Sequence, residues 1–381
     1  MRAAVLTGVE RLEVRDGLPV QPPGPFDVFV RVSAVGLCGT DFHIYAGHGN
    51  YNTDERGVPV PLEVESQILG HEIAGVVEEA GDDVTDLRPG DLVVLDQGIS
   101  CVSARRDPVC EYCVTGDSHQ CAFYREHGIT GSPGGLADFI TLPAANAIRV
   151  DEALDAATAA VTEPLGCVVH ASAAVERAPA RYGLRATAPE RRVRGVLISG
   201  AGPSGLLFTQ YLRLALGYDG LLIVAEPNAR RRALAEGFGA TTTIDPGAAD
   251  LVEAVHELTH GRRLEYLIDA SGAGDLFRQM PGLIRKQATV LLYGHGHAGE
   301  ALSVLNNVQF LEPTLVSPVG ASGAFVNGRP ATYKHALALI QDGIIAVQPL
   351  LTHRYDSLDA VPGAFAGDHR RPDYIKGVVM L

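Results

Sequence analysis

The chain has 381 residues, of which 46% are hydrophobic and 20% are charged, a composition typical of a globular protein. Its net charge of −14 argues against a general nucleic-acid or anionic-membrane binder. A chain of this length is expected to form two domains. No apolar run reaches membrane-spanning length and the first thirty residues show no secretory leader, so we expect a cytoplasmic protein.

The first 150 residues contain short runs in which apolar and polar residues alternate, broken by glycine and proline. Examples are DVFVRVSAVG at 27–36 and DLVVLD at 91–96. Alternation with a period of two predicts half-buried strands, so this part of the chain is expected to be mainly β with long loops.

Candidate metal ligands begin in the stretch GLCGTDFH, where a thiol, a hydroxyl, a carboxylate and an imidazole lie close together. Cys38, His71 and Glu163 form a candidate set of zinc ligands that leaves one position open for a substrate. Glu72 is a candidate exchangeable ligand or a partner of a ligand. Taken singly, each residue also fits a structural role, since a lone cysteine is usually a small buried apolar residue.

The segment 45–67 separates two of these candidate ligands and is rich in hydrogen-bonding side chains. Such a loop beside a metal suits a substrate with several hydroxyl groups, although a solvated surface loop explains it about as well. The chain has no tryptophan and only 6% aromatic residues, so nothing indicates a pocket for an aromatic alcohol.

Residues 195–300 change character, because strand-like apolar runs alternate with helical ones. This βαβ alternation predicts a parallel sheet covered by helices. The segment 175–194 lacks periodicity and is interpreted as a connection or an insertion. The tail ends in YIKGVVML, a predicted strand that could rejoin the first domain.

A glycine motif follows the first strand of the βαβ region. Gly200, Gly202 and Gly205 have the G-x-G-x-x-G spacing, with Pro203 and Ser204 between the last two. Glycines allow the backbone to turn sharply and approach a pyrophosphate, and the following helix N-terminus offers free N–H groups. The motif therefore predicts a dinucleotide site.

The second βαβ strand ends at Glu226, about twenty residues after the glycine motif. A carboxylate there would accept hydrogen bonds from the adenosine ribose and repel a 2′-phosphate, which favours NAD over NADP. The run 230–232 is all arginine, and Arg231 is a candidate cofactor contact. These arginines could tolerate a phosphate, or they could line a solvated helix face.

The stretch GHEIAGVVEEAGDDV at 70–84 has the spacing of the zinc-containing alcohol dehydrogenase signature. With GLCGTDFH upstream and TEPLG downstream, the chain resembles the zinc-dependent medium-chain dehydrogenase/reductase superfamily along essentially its whole length. The Glu-Pro pair is most similar to the polyol/sorbitol, sugar and threonine dehydrogenase branches.

The resemblance implies an α/β plus β fold with two domains. A GroES-like β catalytic domain would comprise 1–174 and the return segment 311–381. A Rossmann domain with a doubly wound parallel sheet would comprise 175–310. Relatives pair subunits through a region that 315–323 resembles, so we expect a homodimer or a homotetramer.

The chemistry implied is hydride transfer between a secondary alcohol and NAD(P), with zinc lowering the pKa of the alcohol. Thr40 could accept the hydroxyl proton, and His43 matches the histidine at the outer end of the proton path in relatives. Asp41 would orient the loop or a ligand. A polyol, a sugar or a cyclitol is favoured as substrate, and a simple secondary alcohol or an amino alcohol such as threonine remains open.

A second zinc is predicted from Cys110, Cys113 and Cys121, which match the last three ligands of the structural-zinc lobe in relatives. The usual first cysteine is replaced by Asp107, and Cys101 lies six residues earlier. The favoured set uses Cys101, while ligation by Asp107 or a metal-free loop remains open.

Two other classes of protein share part of this pattern. A zinc-free quinone or enoyl reductase would keep the glycine motif but lose the metal ligands. A non-catalytic nucleotide-binding protein would have no need of Thr40 and His43 beside those ligands.

Overall fold

The computed structural model describes residues 1–151, 153–295, 297, 302–321 and 323–381. The chain divides into two compact units. The first unit comprises Met1–Gly166 and Ala321–Leu381, and the second unit comprises Cys167–Gly320.

These boundaries differ from those predicted, at 174/175 and 310/311. The first boundary, between Gly166 and Cys167, falls within the helix Thr162–Arg177. A change in composition does not mark a boundary inside a continuous helix. The second falls later because Thr314–Val316 forms a strand of the second unit's sheet. Residues 311–320 therefore belong to the second unit rather than to the return segment.

The first unit is mainly β. Its strands are β1 (Ala3–Gly8), β2 (Arg11–Arg15), β3 (Asp27–Leu37), β4 (Gln67–Ile68), β5 (Glu72–Ala80), β6 (Leu92–Leu95), β7 (Gly98–Ile99), β8 (Arg125–Glu126), β9 (Phe139–Pro143) and β10 (Ala147–Arg149). Its helices before the boundary are α1 (Gly39–Tyr45), α2 (Glu111–Val114), α3 (Ala156–Ala160) and the start of α4 (Thr162–Arg177).

The second unit alternates strands and helices. Its strands are β11 (Gly195–Ser199), β12 (Leu221–Ala225), β13 (Thr242–Ile244), β14 (Leu264–Asp269), β15 (Ile284–Leu292) and β16 (Thr314–Val316). Its helices are α5 (Pro203–Gln210), α6 (Ala229–Gly237), α7 (Leu251–Leu258), α8 (Leu276–Leu283) and α9 (Leu305–Gln309). The return segment adds β17 (Phe325–Val326), β18 (Arg329–Pro330), α10 (Ala331–Gln341), β19 (Leu351–Tyr355), α11 (Val361–Ala366) and β20 (Lys376–Met380) to the first unit.

A seven-stranded sheet forms the centre of the first unit, in the order β10-β6-β5-β3-β20-β19, with β9 also paired to β3. β3 runs antiparallel to both β5 and β20, with Gly36 opposite Glu72 and Leu37 opposite Gly377. The end of β3 therefore meets the starts of β5 and β20. The predicted C-terminal strand is β20, and its pairing with β3 brings the last residues of the chain beside the loop at Cys38.

The second unit has a six-stranded parallel sheet in the order β13-β12-β11-β14-β15-β16. Numbered from β11, this is the order 3-2-1-4-5-6 of the doubly wound dinucleotide fold. The central strand β14 is buried on both faces, since all six residues of Leu264–Asp269 are buried. The predicted fold class, α/β plus β with a Rossmann domain, is confirmed.

Each unit has its own apolar core. In the first unit, residues such as Val30, Ile73 and Phe365 pack between the large sheet and the surrounding helices. In the second unit, Leu197, Leu267 and other residues pack beneath the helices. Fully burying one such side chain stabilises the fold by about 1.5–3 kcal/mol. Among the described residues, we find no helix with the length and apolarity to traverse a bilayer.

Candidate metal centre and dinucleotide site

Strand register brings three of the predicted metal ligands together. Cys38 follows the end of β3, and His71 and Glu72 stand at the start of the neighbouring strand β5. One ligand atom from each of these residues lies within 4.8 Å of the other two. A thiol, an imidazole and a carboxylate at this spacing fit the donor set of a zinc ion.

Asp41 holds two of these residues in place. Its fully buried carboxylate accepts hydrogen bonds from the backbone N–H of Cys38 (2.9 Å) and of Gly70 (3.1 Å). Asp41 Oδ1 also lies 3.4 Å from His71 Nδ1, so Nε2 is the nitrogen left for a metal. The prediction that Asp41 orients the loop or a ligand agrees with these contacts.

The electrostatics of this cluster favour a cation. Burial by itself lowers the pKa of His71, but the neighbouring Asp41 carboxylate and Cys38 thiol raise it well above its ordinary value. A proton is thereby drawn to the place that a metal ion would take, because both are attracted by the same negative groups.

Glu72 has a partner that the sequence did not reveal. The Lys376 ammonium, at the start of β20, donates a hydrogen bond to Glu72 Oε1, and both side chains are buried. Burial lowers the pKa of Lys376, but the carboxylates of Glu72 and Glu163 and the Cys38 thiol raise it above its ordinary value. The ammonium therefore stays charged and balances part of the negative charge of the cluster.

Glu163 lies outside the cluster of Cys38, His71 and Glu72. It stands at the start of α4, where its Oε1 accepts a hydrogen bond from Gln97 Nε2 at 3.2 Å. Gln97 in turn accepts a hydrogen bond from the hydroxyl of Tyr333, which is fully buried. The influence of Glu163 on the pKa of Lys376 places its carboxylate near the cluster, although it is not a member of it.

Glu126 is a further carboxylate near the cluster that was not singled out from the sequence. Burial raises its pKa, while His71 and hydrogen bonds with Gln97 and Tyr124 lower it. Gln97, Glu126 and Glu163 thus form a connected polar set, which we call the Gln97 cluster. Glu163 was identified from the sequence, but no spacing signal marked Gln97 or Glu126, because they come from separate loops and elements.

The two predicted proton carriers lie on α1. Thr40 Oγ1 accepts a hydrogen bond from Cys38 Sγ at 3.8 Å, so its hydroxyl lies beside the candidate metal ligand. His43 stands one turn further along α1, with its ring centroid 6.1 Å from that of His48. Residues three apart on a helix share a face, so Thr40 and His43 lie on the same side of α1.

A separate cluster contains the four predicted cysteines. One sulfur from each of Cys101, Cys110, Cys113 and Cys121 lies within 4.8 Å of the others. Asp107 is exposed and is not a member of this cluster, whereas Cys101 is. Four thiols at this spacing fit a closed tetrahedral zinc site.

Backbone donors also point to the sulfurs of this cluster. The N–H groups of Cys101 and Phe123 donate to Cys121 Sγ at 3.2 and 3.4 Å, and the N–H of Ala122 donates to Cys110 Sγ at 3.4 Å. The Ala122 N–H is the main reason why the pKa of Cys110 is lowered to about 6, whereas burial raises the pKa of Cys121 to about 12. Such N–H donors stabilise thiolates, the form that binds metal.

The glycine motif has the geometry of a dinucleotide loop. Gly200 has a φ of 97°, a left-handed conformation that glycine adopts without strain. A side chain at Gly205 would overlap the carbonyl oxygen of Gly200, whereas the space around Gly202 is open. Pro203 begins α5 after Gly202, and Ser204 Oγ donates to the hydroxyl of Tyr293 at 3.4 Å. This loop presents a helix N-terminus to a pyrophosphate.

Glu226 follows β12 and is bonded to the backbone of the second unit. Its Oε2 accepts from the N–H of Ala201 at 2.7 Å, and its Oε1 accepts from the N–H of Asn228 at 2.9 Å. Arg231 Nη1 lies 4.0 Å from Glu226 Oε1. The carboxylate therefore braces the glycine loop in addition to standing where a ribose is expected.

Known families match both units. Residues 24–152 match the alcohol dehydrogenase GroES-like domain, and residues 203–342 match the zinc-binding dehydrogenase family. L-Threonine 3-dehydrogenase of Pyrococcus abyssi is 30% identical over 96% of this chain and 93% of its own length. Sorbitol dehydrogenase of Arabidopsis thaliana is 29% identical over 98% of this chain and 93% of its own.

Solved structures agree with these sequence relatives. A protein from Sinorhizobium meliloti 1021, assigned as a zinc-binding dehydrogenase and bound to NADP, has a TM-score of 0.79 and 29% identity. The similarity covers 100% of this chain and 99% of that one. Galactitol-1-phosphate dehydrogenase from Escherichia coli, at 21% identity and a TM-score of 0.80 over the full length of both chains, shows the same fold.

These similarities confirm that the chain is a dehydrogenase, which excludes the non-catalytic alternative. The reaction of this chain transfers hydride between an alcohol and a nicotinamide cofactor. The chain belongs to the zinc-dependent medium-chain dehydrogenase/reductase superfamily, the family of the zinc-containing alcohol dehydrogenases.

Proposed function

We propose that this enzyme oxidises a secondary hydroxyl of a polyol, a sugar or a cyclitol with NAD. The observation that carries this proposal is the Gln97 cluster near the metal cluster. It consists of Gln97, Glu126 and Glu163. A substrate with several hydroxyls needs several hydrogen-bond acceptors and donors around the reacting carbon, since a buried hydroxyl without a partner is costly.

Cys38 and His71 would hold the catalytic zinc, with Glu72 and Glu163 supplying carboxylate oxygen. A zinc ion held there would lower the pKa of the substrate hydroxyl, which would favour release of hydride to the nicotinamide. Asp41 fixes the orientation of His71 and the backbone at Cys38. The Lys376 ammonium limits the charge that Glu72 contributes to the site.

The substrate proton would leave along α1. The Thr40 hydroxyl lies beside Cys38 and can accept the proton as the alcohol ionises. His43 stands nearer the far end of α1, and an imidazole there suits transfer of the proton to solvent because its ring nitrogens can both accept and donate a proton. A relay of this kind carries the proton away, so the ionised alcohol is not protonated again in the site.

An amino alcohol such as L-threonine is a second candidate. Several relatives are named L-threonine 3-dehydrogenase, including that of Pyrococcus abyssi. The substrate ammonium would then face the carboxylates of Glu126 and Glu163, since opposite charges attract in a partly desolvated site.

The test is a panel of polyols, aldoses, cyclitols, simple secondary alcohols and L-threonine, each with NAD and with NADP. We expect the highest kcat/KM for a polyhydroxylated substrate. We also expect Glu126→Gln to reduce kcat/KM for that substrate about tenfold or more, the effect of losing a hydrogen bond to a charged group. Highest kcat/KM with L-threonine would instead support the second candidate.

The cofactor preference follows from Glu226. Its carboxylate carries a negative charge at the end of β12, where a 2′-phosphate would have to lie. Arg231, close to that carboxylate, offsets part of the charge, so the preference for NAD is proposed to be moderate rather than absolute.

The proposed assembly is a homodimer or a homotetramer joined through the second unit. β16 is the last strand of the parallel sheet, and in the described part of the chain only β15 pairs with it. Leu315 in this strand is 47% exposed. An exposed apolar edge strand favours pairing with a second copy.

A further inference from the structure

A cleft of about 430 Å³ lies on the second unit, away from the glycine loop. It is bordered by the starts of β15 and β16 and by the connection that precedes β11. The glycine loop follows the opposite, carboxyl end of β11, and the strands are parallel. The cleft is lined by Arg181, Tyr182, Lys286, Gln287, Phe310, Leu311 and Glu312.

The backbone around the cleft is irregular. Between the pairs Leu264–Ile284 and Tyr266–Thr289, β15 contains more residues than β14, so it bulges at Arg285–Ala288. Gln287 has a φ of 59° and Glu312 has a φ of 47°. Bulges redirect side chains, and left-handed non-glycine residues cost about 1–3 kcal/mol each, a cost that is often associated with binding sites.

Direct contacts hold the two left-handed residues against each other. The backbone N–H of Gln287 donates to the carbonyl oxygen of Leu311 at 2.6 Å. The side-chain amide of Gln287 donates to Glu312 Oε2 at 3.3 Å and accepts from Arg181 Nη1 at 3.2 Å. The rim of the cleft is therefore one hydrogen-bonded unit.

Two cations line this rim without an acidic partner in the described part of the chain. Arg181 contacts the amide of Gln287 and the ring of Tyr182, at 5.6 Å from the ring centroid. Lys286 is exposed, and its neighbour Arg285 differs because it forms an ion pair with Glu265 at 2.7 Å. In a chain with a net charge of −14, such cations attract anions locally.

Phe310 adds an apolar face to the same cleft. It is 81% exposed, the largest value among the large apolar side chains of the described residues. A flat ring of a ligand could stack on it, since aromatic pairs prefer such packing. Glu312 on the same rim keeps the net charge small, which favours a small anion over a polyanion.

We propose that this cleft binds a small organic anion that carries a flat ring, with the anionic group between Arg181 and Lys286 and the ring against Phe310. This site is independent of the substrate and cofactor sites. Its ligand class is an aryl phosphate or aryl carboxylate, and phenyl phosphate is a suitable probe.

The test uses the fact that the chain has only three lysines, Lys286, Lys334 and Lys376. Reductive ¹³C-methylation keeps the positive charge and makes each modified lysine visible by NMR. In the NAD-saturated enzyme, phenyl phosphate should shift the Lys286 signal saturably, with a Kd below about 10 mM. The exposed Lys334 should not shift. The variant Lys286→Arg assigns the signal.

Variants measured by equilibrium dialysis test each part of the site. Lys286→Ala should weaken phenyl phosphate binding about tenfold, whereas Lys334→Ala should leave it unchanged. Phenyl phosphate should bind more tightly than inorganic phosphate, and Phe310→Ala should remove that difference. Equal shifts at Lys286 and Lys334, or equal binding of the two probes by the parent enzyme, would overturn the proposal.

Discussion

Gly36 provides the space that the Glu72 carboxylate occupies. A Cβ atom at position 36 would overlap Glu72 Oε2, while Glu72 Oε1 is bonded to Lys376. The carboxylate is thus confined between a backbone without a side chain and a buried ammonium. A single methyl group at this point would move one of the candidate zinc ligands.

We therefore expect Gly36→Ala to weaken binding of the catalytic zinc by about 10–100-fold, as changes in the surroundings of metal ligands do. Zinc content after dialysis against a weak chelator measures this effect. Gly39→Ala is the matched control, because a Cβ there meets no atom within 4 Å. Equal zinc loss in both variants would show that the space beside Glu72 is not the cause.

A second residue-scale prediction concerns Glu226, whose charge is proposed to select NAD. Glu226→Gln keeps the size of the side chain but removes the charge, so NAD binding should weaken about tenfold or more and NADP binding much less. Cofactor titrations followed by fluorescence measure both affinities. The exposed Glu253→Gln serves as control, and equal losses for the two cofactors would contradict the assignment.

A third prediction concerns the pH dependence of stability at His127. Burial lowers the pKa of His127 below its ordinary value of 6.5, although its Nδ1 contacts the carbonyl oxygen of Pro133 at 2.7 Å. The unfolded chain therefore binds a proton near pH 6.5 that the folded chain does not. The contribution of His127 to stability is present above that pH and is lost as the pH falls below it.

Between pH 7.5 and 5.5, the free energy of unfolding of the parent enzyme should fall more steeply than that of His127→Gln. The difference in slope has an upper limit of about 1.4 kcal/mol per pH unit for one proton. Denaturant unfolding at several pH values measures it. Replacing the exposed His256 by glutamine should leave the slope unchanged, and identical slopes in parent and His127→Gln would refute this prediction.

At the scale of elements, the four-cysteine lobe shows how a short segment with little apolar core can be held together. The regular structure of residues 100–126 is limited to the short helix α2, one 3-10 turn at Ser118–Gln120 and the two-residue strand β8, with loops between them. Three of the four cysteines are buried, and backbone N–H groups point at their sulfurs. A zinc ion bound by these thiolates would supply cross-links that the secondary structure does not.

We expect Cys101→Ser to lower the zinc content by about one ion per chain and to speed hydrogen exchange across 100–126. Asp107→Asn should change neither quantity, because Asp107 lies outside the thiol cluster. Metal analysis and exchange mass spectrometry provide the two measurements. Loss of zinc from Asp107→Asn would reverse the ligand assignment.

At the scale of the whole molecule, assembly depends on the edge of the parallel sheet. In the described part of the chain β16 is paired on one side only, and its Leu315 is exposed. Pairing this edge with a second copy would give its backbone groups hydrogen-bond partners and would cover Leu315. A charged side chain at this edge would instead lose its hydration on association.

Light scattering should therefore give a multiple of the chain mass of 40.3 kDa for the parent enzyme. Leu315→Glu should shift the population toward the mass of one chain. Val64→Glu, at a position that is 76% exposed in the first unit, should leave the parent mass unchanged. A parent enzyme with the mass of a single chain would refute the proposed assembly.

Local patterns in the sequence determined the features that depend on neighbouring residues. The glycine spacing at 200–205 predicts a turn that only glycine can adopt, and its residues begin α5 as expected. The βαβ alternation predicts the parallel sheet, because periodicity follows from which face each residue buries. Cys38 and His71 were identified by motif, and the register of β3 and β5 brings them together.

Tertiary structure alone decided which distant side chains form ion pairs or hydrogen bonds with each other. Lys376 meets Glu72 across 304 residues of sequence, and Gln97 joins Glu163 across 66 and Tyr333 across 236. Only the folded structure shows that Cys101, and not Asp107, lies with the other three cysteines. Such contacts depend on the register of the strands and the path of the loops. Both are determined by many weak interactions along the whole chain, so no local pattern encodes these contacts.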